Sequence, residues 1–268
     1  MKSGIVLQNS VSAVVTGGSS GIGLEFARQL AGRGYALMLV SNQEEQLTDA
    51  VNNIEADYPG VMITTLCKDL SEHGAANVVV EACNNFPPVE VLVNNAGIFS
   101  FKPMVELTQR QLDLYFELHM RAVTELSLAF AREMQKRGKG YILNMSSMSC
   151  WMPMPGIGMY AATKSYIRVM SRSLYLEMKE SGVHVMVACP GGIATDLFGL
   201  PRNLQKLGVR LGALATPQKF VKGALNRLFR NRKQYINGLL NRIAIVAVAM
   251  LPTKVRLIVK HRMLDNKD

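Results

Sequence analysis

Cysteine is scarce in this sequence: Cys67, Cys83, Cys150 and Cys189 are widely spaced, with no Cys-x-x-Cys pair and no His/Cys cluster. That excludes a disulfide framework, gives no reason to expect a metal site, and fits a reducing compartment. Charge is sparse too, at 19% against 49% hydrophobic residues, which argues for a folded globule over a disordered chain. Long apolar runs are missing from the C-terminal part. Its uninterrupted run, Ile243 to Leu251, ends at Pro252 and is too short to cross about 30 Å of hydrocarbon. The opening MKSGIVLQNSVSAVV has neither a long apolar core nor a small-residue cleavage site, so the expectation is a cytoplasmic protein, not a secreted one.

Acidic residues nearly vanish after Pro201. There 15 Lys/Arg face only Asp265 and Asp268, whereas residues 1–200 hold 15 bases and 18 acids. So lopsided a charge suggests an anionic partner for the tail: phospholipid head groups, an acyl-CoA or an acyl carrier protein. The bland alternative is a solvated helix face. A nucleic-acid partner is not expected, because few aromatics interleave with the basic residues. TKVRLIVKHRML (253–264) mixes apolar and basic residues at helical spacing. That fits a helix at a membrane interface or packed on a partner, so peripheral membrane contact through 239–268 and a homo-oligomer are both expectations.

Along the chain, apolar runs alternate with helical periods. Strands read at 11–17, 36–41, 61–67, 89–97, 141–147 and 183–191, with helices at 21–33, 44–56, 71–86, 108–137 and 160–181. Thr216-Pro217 caps a helix through about Phe229, and QYING (234–238) is a last short strand. Continuous β-branched runs mean strands covered on both faces. Strand-helix alternation over nearly 200 residues then predicts an α/β fold, a Rossmann doubly wound parallel sheet in a single domain. At 268 residues the chain is long enough for one such domain at 1–238, with a substrate-lid region near 193–230 and a helical extension at 239–268.

The first strand ends in TGGSSGIG (16–23) and leads into the first helix. Glycines at 17, 21 and 23 let the backbone approach a pyrophosphate, while free N–H groups at the helix start favour an anion. The T-G-x-x-x-G-x-G spacing resembles the short-chain dehydrogenase/reductase family. Asp69-Leu70, Asn94-Asn95-Ala96-Gly97 and Pro190-Gly191 with Thr195 match further motifs of that family in order. The resemblance implies a nicotinamide dinucleotide held by Gly17, Ser19, Ser20, Gly21, Ile22 and Gly23, by Asp69 and Leu70 at the adenine, and by Asn95, Ala96 and Gly97. Pro190, Gly191 and Ile193 would complete the site, with Thr195 on the nicotinamide amide. After the second strand stand Ser41 and Asn42, neither acidic nor basic. Without an acid to repel a 2′-phosphate, NADP(H) is favoured over NAD(H).

Tyr-x-x-x-Lys occurs twice, at Tyr160/Lys164 and Tyr175/Lys179. Ligands bind outside the carboxyl ends of the strands in such a sheet, and Tyr160 begins the helix that follows the strand ending near Ser147. Tyr175 lies about 22 Å further down the same helix. Thirteen residues before Tyr160 stands Ser147, the family's spacing; the same count from Tyr175 reaches Ala162, which has no hydroxyl. The expected chemistry is carbonyl reduction, with Ser147 polarising the substrate carbonyl, Tyr160 donating the proton, and Lys164 lowering the phenol's pKa while also holding the ribose. The family's fourth catalytic residue, an Asn, aligns with His119. There a main-chain carbonyl would carry a water relay to the lysine, the alternative being a core histidine.

Between the two catalytic positions, Met148, Trp151, Met152 and Met154 suit a pocket for a flexible apolar substrate, or ordinary core packing. Within the family the chain looks most like the 3-oxoacyl-CoA reductase and 17β-hydroxysteroid dehydrogenase branch. The ketone implied is a 3-oxoacyl thioester, a keto-sphingoid base or a steroid. The competing readings are a non-catalytic cofactor sensor or scaffold on the same fold and a reductase of small carbonyl compounds. Replacing Tyr160 with Phe is expected to abolish turnover while cofactor titration stays normal. Tyr175→Phe, the second copy, is expected to leave turnover nearly unchanged, and a shared loss would refute the choice between them.

Overall fold

Runs such as AVV, LML and VLV become strands whose successive side chains enter opposite layers, so an unbroken apolar run needs cover on both sides. The computed structural model, describing residues 10–195, 201–210 and 214–265, shows that cover. Seven parallel strands lie in the order β3-β2-β1-β4-β5-β6-β7. They are β1 (Ser12–Thr16), β2 (Ala36–Ser41), β3 (Ile63–Cys67), β4 (Val89–Asn94), β5 (Gly140–Met145), β6 (Val183–Ala188) and β7 (Gln234–Tyr235). On one face Val15, Leu39, Val93 and Leu143 pack against α1 (Gly21–Ala31), α2 (Glu44–Asp57) and α8 (Pro217–Leu228). On the other, Val14, Met38, Leu92 and Ile142 meet α3 (Ala75–Ala82), α5 (Ala122–Arg137) and α6 (Gly158–Glu177). The doubly wound order reverses between β1 and β4, which opens a crevice at their carboxyl ends.

Four expectations needed correction. β3 is the outer strand of the sheet, so Thr64, Thr65 and Cys67 are exposed instead of covered on both faces. The third helix shrinks to Ala75–Ala82, because Asp69 closes a turn on Ser71 and Gly74 adopts φ 78° ahead of the helix. The stretch expected as one helix over 108–137 divides into α4 (Gln109–Phe116), a π-helical turn at Glu117–Arg121, and α5. Finally, the last strand is two residues long, and 236–238 turn away as a loop into the C-terminal helices.

Under the crevice lies a buried polar knot. Asn94 and Asn144 face each other across β4 and β5, and Asn94 Nδ2 donates to Asn144 Oδ1 at 2.8 Å. Ser127 of α5 donates to the same oxygen at 3.2 Å, while Asn144 Nδ2 donates to Ser171 of α6 at 3.0 Å. One asparagine thereby ties two strands to two helices, and removing it strands polar groups in a dry core.

The C-terminal segment folds onto the sheet's carboxyl edge. α9 (Leu239–Ala249) packs against the 3₁₀ turn Met148–Trp151 and is followed by α10 (Thr253–Lys260). Its inward residue is Ile245, whereas Leu239, Ile243, Val246 and Met250 form an exposed stripe. No helix among the described residues is long and apolar enough to cross a membrane. The lid expected near 193–230 contains α7 (Arg202–Arg210), with 196–200 and 211–213 outside the described residues.

Asn144→Ala is expected to lower unfolding free energy by about 3 kcal/mol, since each buried partner left unpaired costs about 1–3 kcal/mol. Urea midpoints at constant m-value measure it; a change under about 1 kcal/mol would mean that water replaces the lost amide.

Candidate active site

Strands stop at the crevice, and their last backbone groups need partners. Thr16 at the end of β1 supplies one: its Oγ1 accepts the N–H groups of Asn95 (3.0 Å) and Ala96 (3.1 Å). Asn95 Nδ2 returns bonds to the carbonyls of Thr16 and Gly17 at 3.1 and 3.2 Å. The Gly-rich turn is thus fastened to the β4 loop. Gly17 sits at φ 61°, and a Cβ on Gly23 would come within 1.9 Å of the Gly17 carbonyl oxygen. Only glycine at 23 therefore lets α1 approach that turn.

A cleft of about 420 Å³ follows. Gly17, Ser19, Ser20, Gly21 and Ile22 form one wall, and Ser41, Asn42, Asp69 and Leu70 form the adenosine-like end. Asn95, Ala96 and Gly97 line its middle, and Ser147, Tyr160, Lys164, Pro190, Gly191, Ile193 and Thr195 line the far end. The structure therefore gathers every expected cofactor residue except Gly23, which acts from behind the turn. Ser41 is already engaged, with its hydroxyl 2.9 Å from that of Ser19 and accepting the Gln43 N–H at 3.2 Å. Asp69 is partly buried, which pushes its pKa up, but bonds from the Ser71 backbone and hydroxyl outweigh that and hold the carboxyl below its ordinary value. Residues the sequence reading missed also line this end: Gln43, Gln46 and the cation Lys68, which is paired with Glu72. Lys68 adjoins Asp69 in sequence and could have been noticed there.

At the far end, Lys164 is buried, with Nζ donating to the Met145 carbonyl at 3.1 Å, while Ser146 Oγ donates to the Lys164 carbonyl at 2.7 Å. Ser147 lies near enough to Tyr160 to act on its phenol. The Tyr160 ring meets Phe99 and His119 edge to face at 5.1 and 5.9 Å. Burial pushes the phenol up to about 12, with Ser147 pulling the other way. This corrects the expected effect of Lys164. The ammonium lies 5.6 Å from the Tyr160 ring centroid, and burial lowers its own pKa to about 8. Burial sets the direction of the phenol's shift, and the Lys164 charge is not among its causes.

His119 does not line the cleft. It is fully buried on the π-helical turn, where Nε2 accepts the Ile98 N–H at 3.0 Å. That bond leaves the ring proton on Nδ1, which donates to Thr163 Oγ1 at 2.9 Å. The Thr163 hydroxyl in turn donates to the Tyr160 carbonyl at 2.9 Å. Burial first, and the nearby Lys164 charge second, hold His119 well below its ordinary pKa, so it is neutral. The expected contribution was its main-chain carbonyl; the side chain proves to be the part with partners.

The four substrate candidates are not brought to this cleft. Trp151 instead stacks under the Arg168 guanidinium at 4.5 Å and joins a cluster with Tyr166, Met170 and Ile236. Met148, Met152 and Met154 are half-buried on the adjoining loop. Tyr175, on the same helix as Tyr160, packs against the core that α6 covers and does not line the cleft. The loop that leads into the C-terminal extension reaches the site itself: Asn237 Oδ1 accepts the Gly191 N–H at 2.8 Å. Asn241 lies so near Gly191 that a Cβ there would come within 2.3 Å of it.

Residues 12–203 match the family profile described as short chain dehydrogenase. The chain is 30% identical over 219 residues to very-long-chain 3-oxoacyl-CoA reductase-A of Danio rerio, covering 80% of this chain and 66% of that protein. It is 32% identical over 186 residues to gluconate 5-dehydrogenase of Gluconobacter oxydans, covering 69% and 72%. Among solved structures, a short-chain dehydrogenase from Sphingobium yanoikuyae in complex with NADPH superposes with a TM-score of 0.77 at 26% identity, over 94% of this chain and 97% of that one.

Proposed function

This chain belongs to the short-chain dehydrogenase family of oxidoreductases, and on that premise we propose that it reduces a lipid-like ketone to a secondary alcohol with NADP(H). One observation carries the reading: Ser147, Tyr160 and Lys164 meet in the same cleft as the Gly-rich turn. The nicotinamide, held between Tyr160, Lys164 and Thr195, would supply the hydride. Ser147 binds the substrate carbonyl oxygen and Tyr160 gives it a proton, while the Lys164 ammonium steadies the charge that develops. A phenol near 12 keeps its proton at neutral pH and so is in the form that reduction calls on as donor. Ser41 in place of an acid, the Lys68 cation in the cleft, and NADPH in the Sphingobium structure support NADP(H). The Danio relative's name supports a 3-oxoacyl thioester among the lipid ketones. The exposed apolar stripe of α9, with Arg242 beside it, supports peripheral contact with a lipid surface.

His119 and Thr163 act as positioning residues. Together they fasten the loop carrying Gly97 and Ile98 to the turn bearing Tyr160 and Lys164. His119→Ala is expected to lower kcat about 100-fold with the cofactor KM little changed, as misplacement of about 1 Å can do. His119→Asn, still able to accept the Ile98 N–H, should retain more. Equal loss in both variants would refute positioning through the ring.

The function is tested by offering 3-oxoacyl-CoA, a keto-sphingoid base, a steroid ketone and 5-ketogluconate with NADPH and with NADH. Turnover of a lipid ketone with NADPH is expected; preference for the sugar acid would favour the small-carbonyl reading. Because Lys164 loses its charge near pH 8 while Tyr160 keeps its proton, kcat/KM for reduction should fall through about pH 8. A profile flat to pH 10 would remove Lys164 from this role. In the same preparations, Leu239→Glu with Ile243→Glu should weaken co-sedimentation with anionic vesicles, and unchanged sedimentation would remove the lipid contact.

A further inference from the structure

A helix on a protein surface normally turns its leucines inward and its cations to water. α7 leaves both kinds exposed, and its cations share one side. Arg202, Lys206 and Arg210 recur every four residues on one side of it and line a second cavity, of about 640 Å³. Gln205, on the same side, is buried. Leu204 and Leu207 project from the opposite side at 47% and 49% exposure. The remainder of the cavity is Gly21, Ala194, Thr195, Val209 and Thr216, with no acidic side chain in its wall. Among the described residues no ion pair engages Arg202, Lys206 or Arg210. α7 itself carries no acid.

Three like charges one helical turn apart on an exposed side set a positive potential over the cavity beside them, and an anion entering it would relieve their mutual repulsion. The other wall is suited to the same ligand. Gly21 opens α1 and Thr216 caps α8, so two helix N-termini border the space between them. Gly21 and Thr195 also line the main cleft, which makes the two cavities neighbours.

We propose that Arg202, Lys206 and Arg210 clasp a diphosphate ester over the mouth of the active site. Three cations on a helix stem can meet the several oxygens of a diphosphate, and arginine does so through paired N–H bonds. Two molecules bring that chemistry: the dinucleotide cofactor, and a thioester substrate carried on coenzyme A. The clasp rests on the proposed reductase reading, since it assigns that site a further set of contacts. If coenzyme A is the source, the clasp singles out the thioester from the steroid and sphingoid ketones, which carry no diphosphate.

Direct binding separates the possibilities without relying on turnover. Calorimetric titrations of NADPH, coenzyme A and pantetheine into the full chain would be compared with titrations into Arg202→Gln/Lys206→Gln/Arg210→Gln. A single Lys206→Gln variant serves if the triple variant fails to fold by circular dichroism. Weakening of NADPH by more than tenfold in the triple variant, or threefold in the single, assigns the clasp to the cofactor. The same loss for coenzyme A, with wild-type binding tighter than that of pantetheine, assigns it to the substrate carrier. Affinities for both within twofold of wild type overturn the proposal, as does a wild-type chain that binds neither. Wild-type binding of NADPH with no ketone reduced would instead refute the reductase reading and leave the clasp decided by the titrations.

Discussion

Parallel strands that stop at a buried edge leave backbone N–H and C=O groups with no further strand to meet, and the structure is arranged around satisfying them. Thr16 accepts two N–H groups beyond β4. Lys164 serves the last carbonyl of β5, Asn237 the loop after β6, and His119 the N–H of Ile98. Each partner arrives from a different element. The side chains that gather the crevice are therefore the same ones that close the ends of the sheet, and the site is rigid for the same reason the fold is.

Placing a lysine there has an electrostatic cost. An ammonium with almost no contact with water is stabilised here by a carbonyl and not by a carboxylate, and its pKa falls accordingly. Tyr160 moves the opposite way for the same physical reason, since burial penalises whichever form is charged. The two shifts leave a neutral phenol beside an ammonium near neutrality. His119, neutral and held at both ring nitrogens, adds no competing charge.

Much of the fold was legible because apolar periodicity is local. The strands β1, β2, β3, β4 and β6 fell within their expected ranges, β5 began one residue before its own, and the Gly-rich turn announced the cleft before any contact was known. The errors came where neighbours decide. The exposure of β3 follows from its outer place in the sheet, and the π-helical turn at His119 from bonds to residues 98 and 163. Trp151 looked like a substrate wall until Arg168, seventeen residues on, took its face. Two cysteines far apart in the chain, Cys150 and Cys189, turn out to pack in one cluster.

The sequence by itself determined the layered α/β architecture, the Gly-rich turn and the place of Tyr160, and not Tyr175, at the cleft. Those depend on spacing along one strand or helix, and spacing survives without coordinates. Tertiary structure alone decided the burial of Lys164, the hydrogen bonds of the His119 ring, the gathering of the α7 cations beside the second cavity and the seat of α9 on Gly191. Each of these depends on how much water a group keeps and on which distant group replaces it, and neither quantity is written in the order of residues.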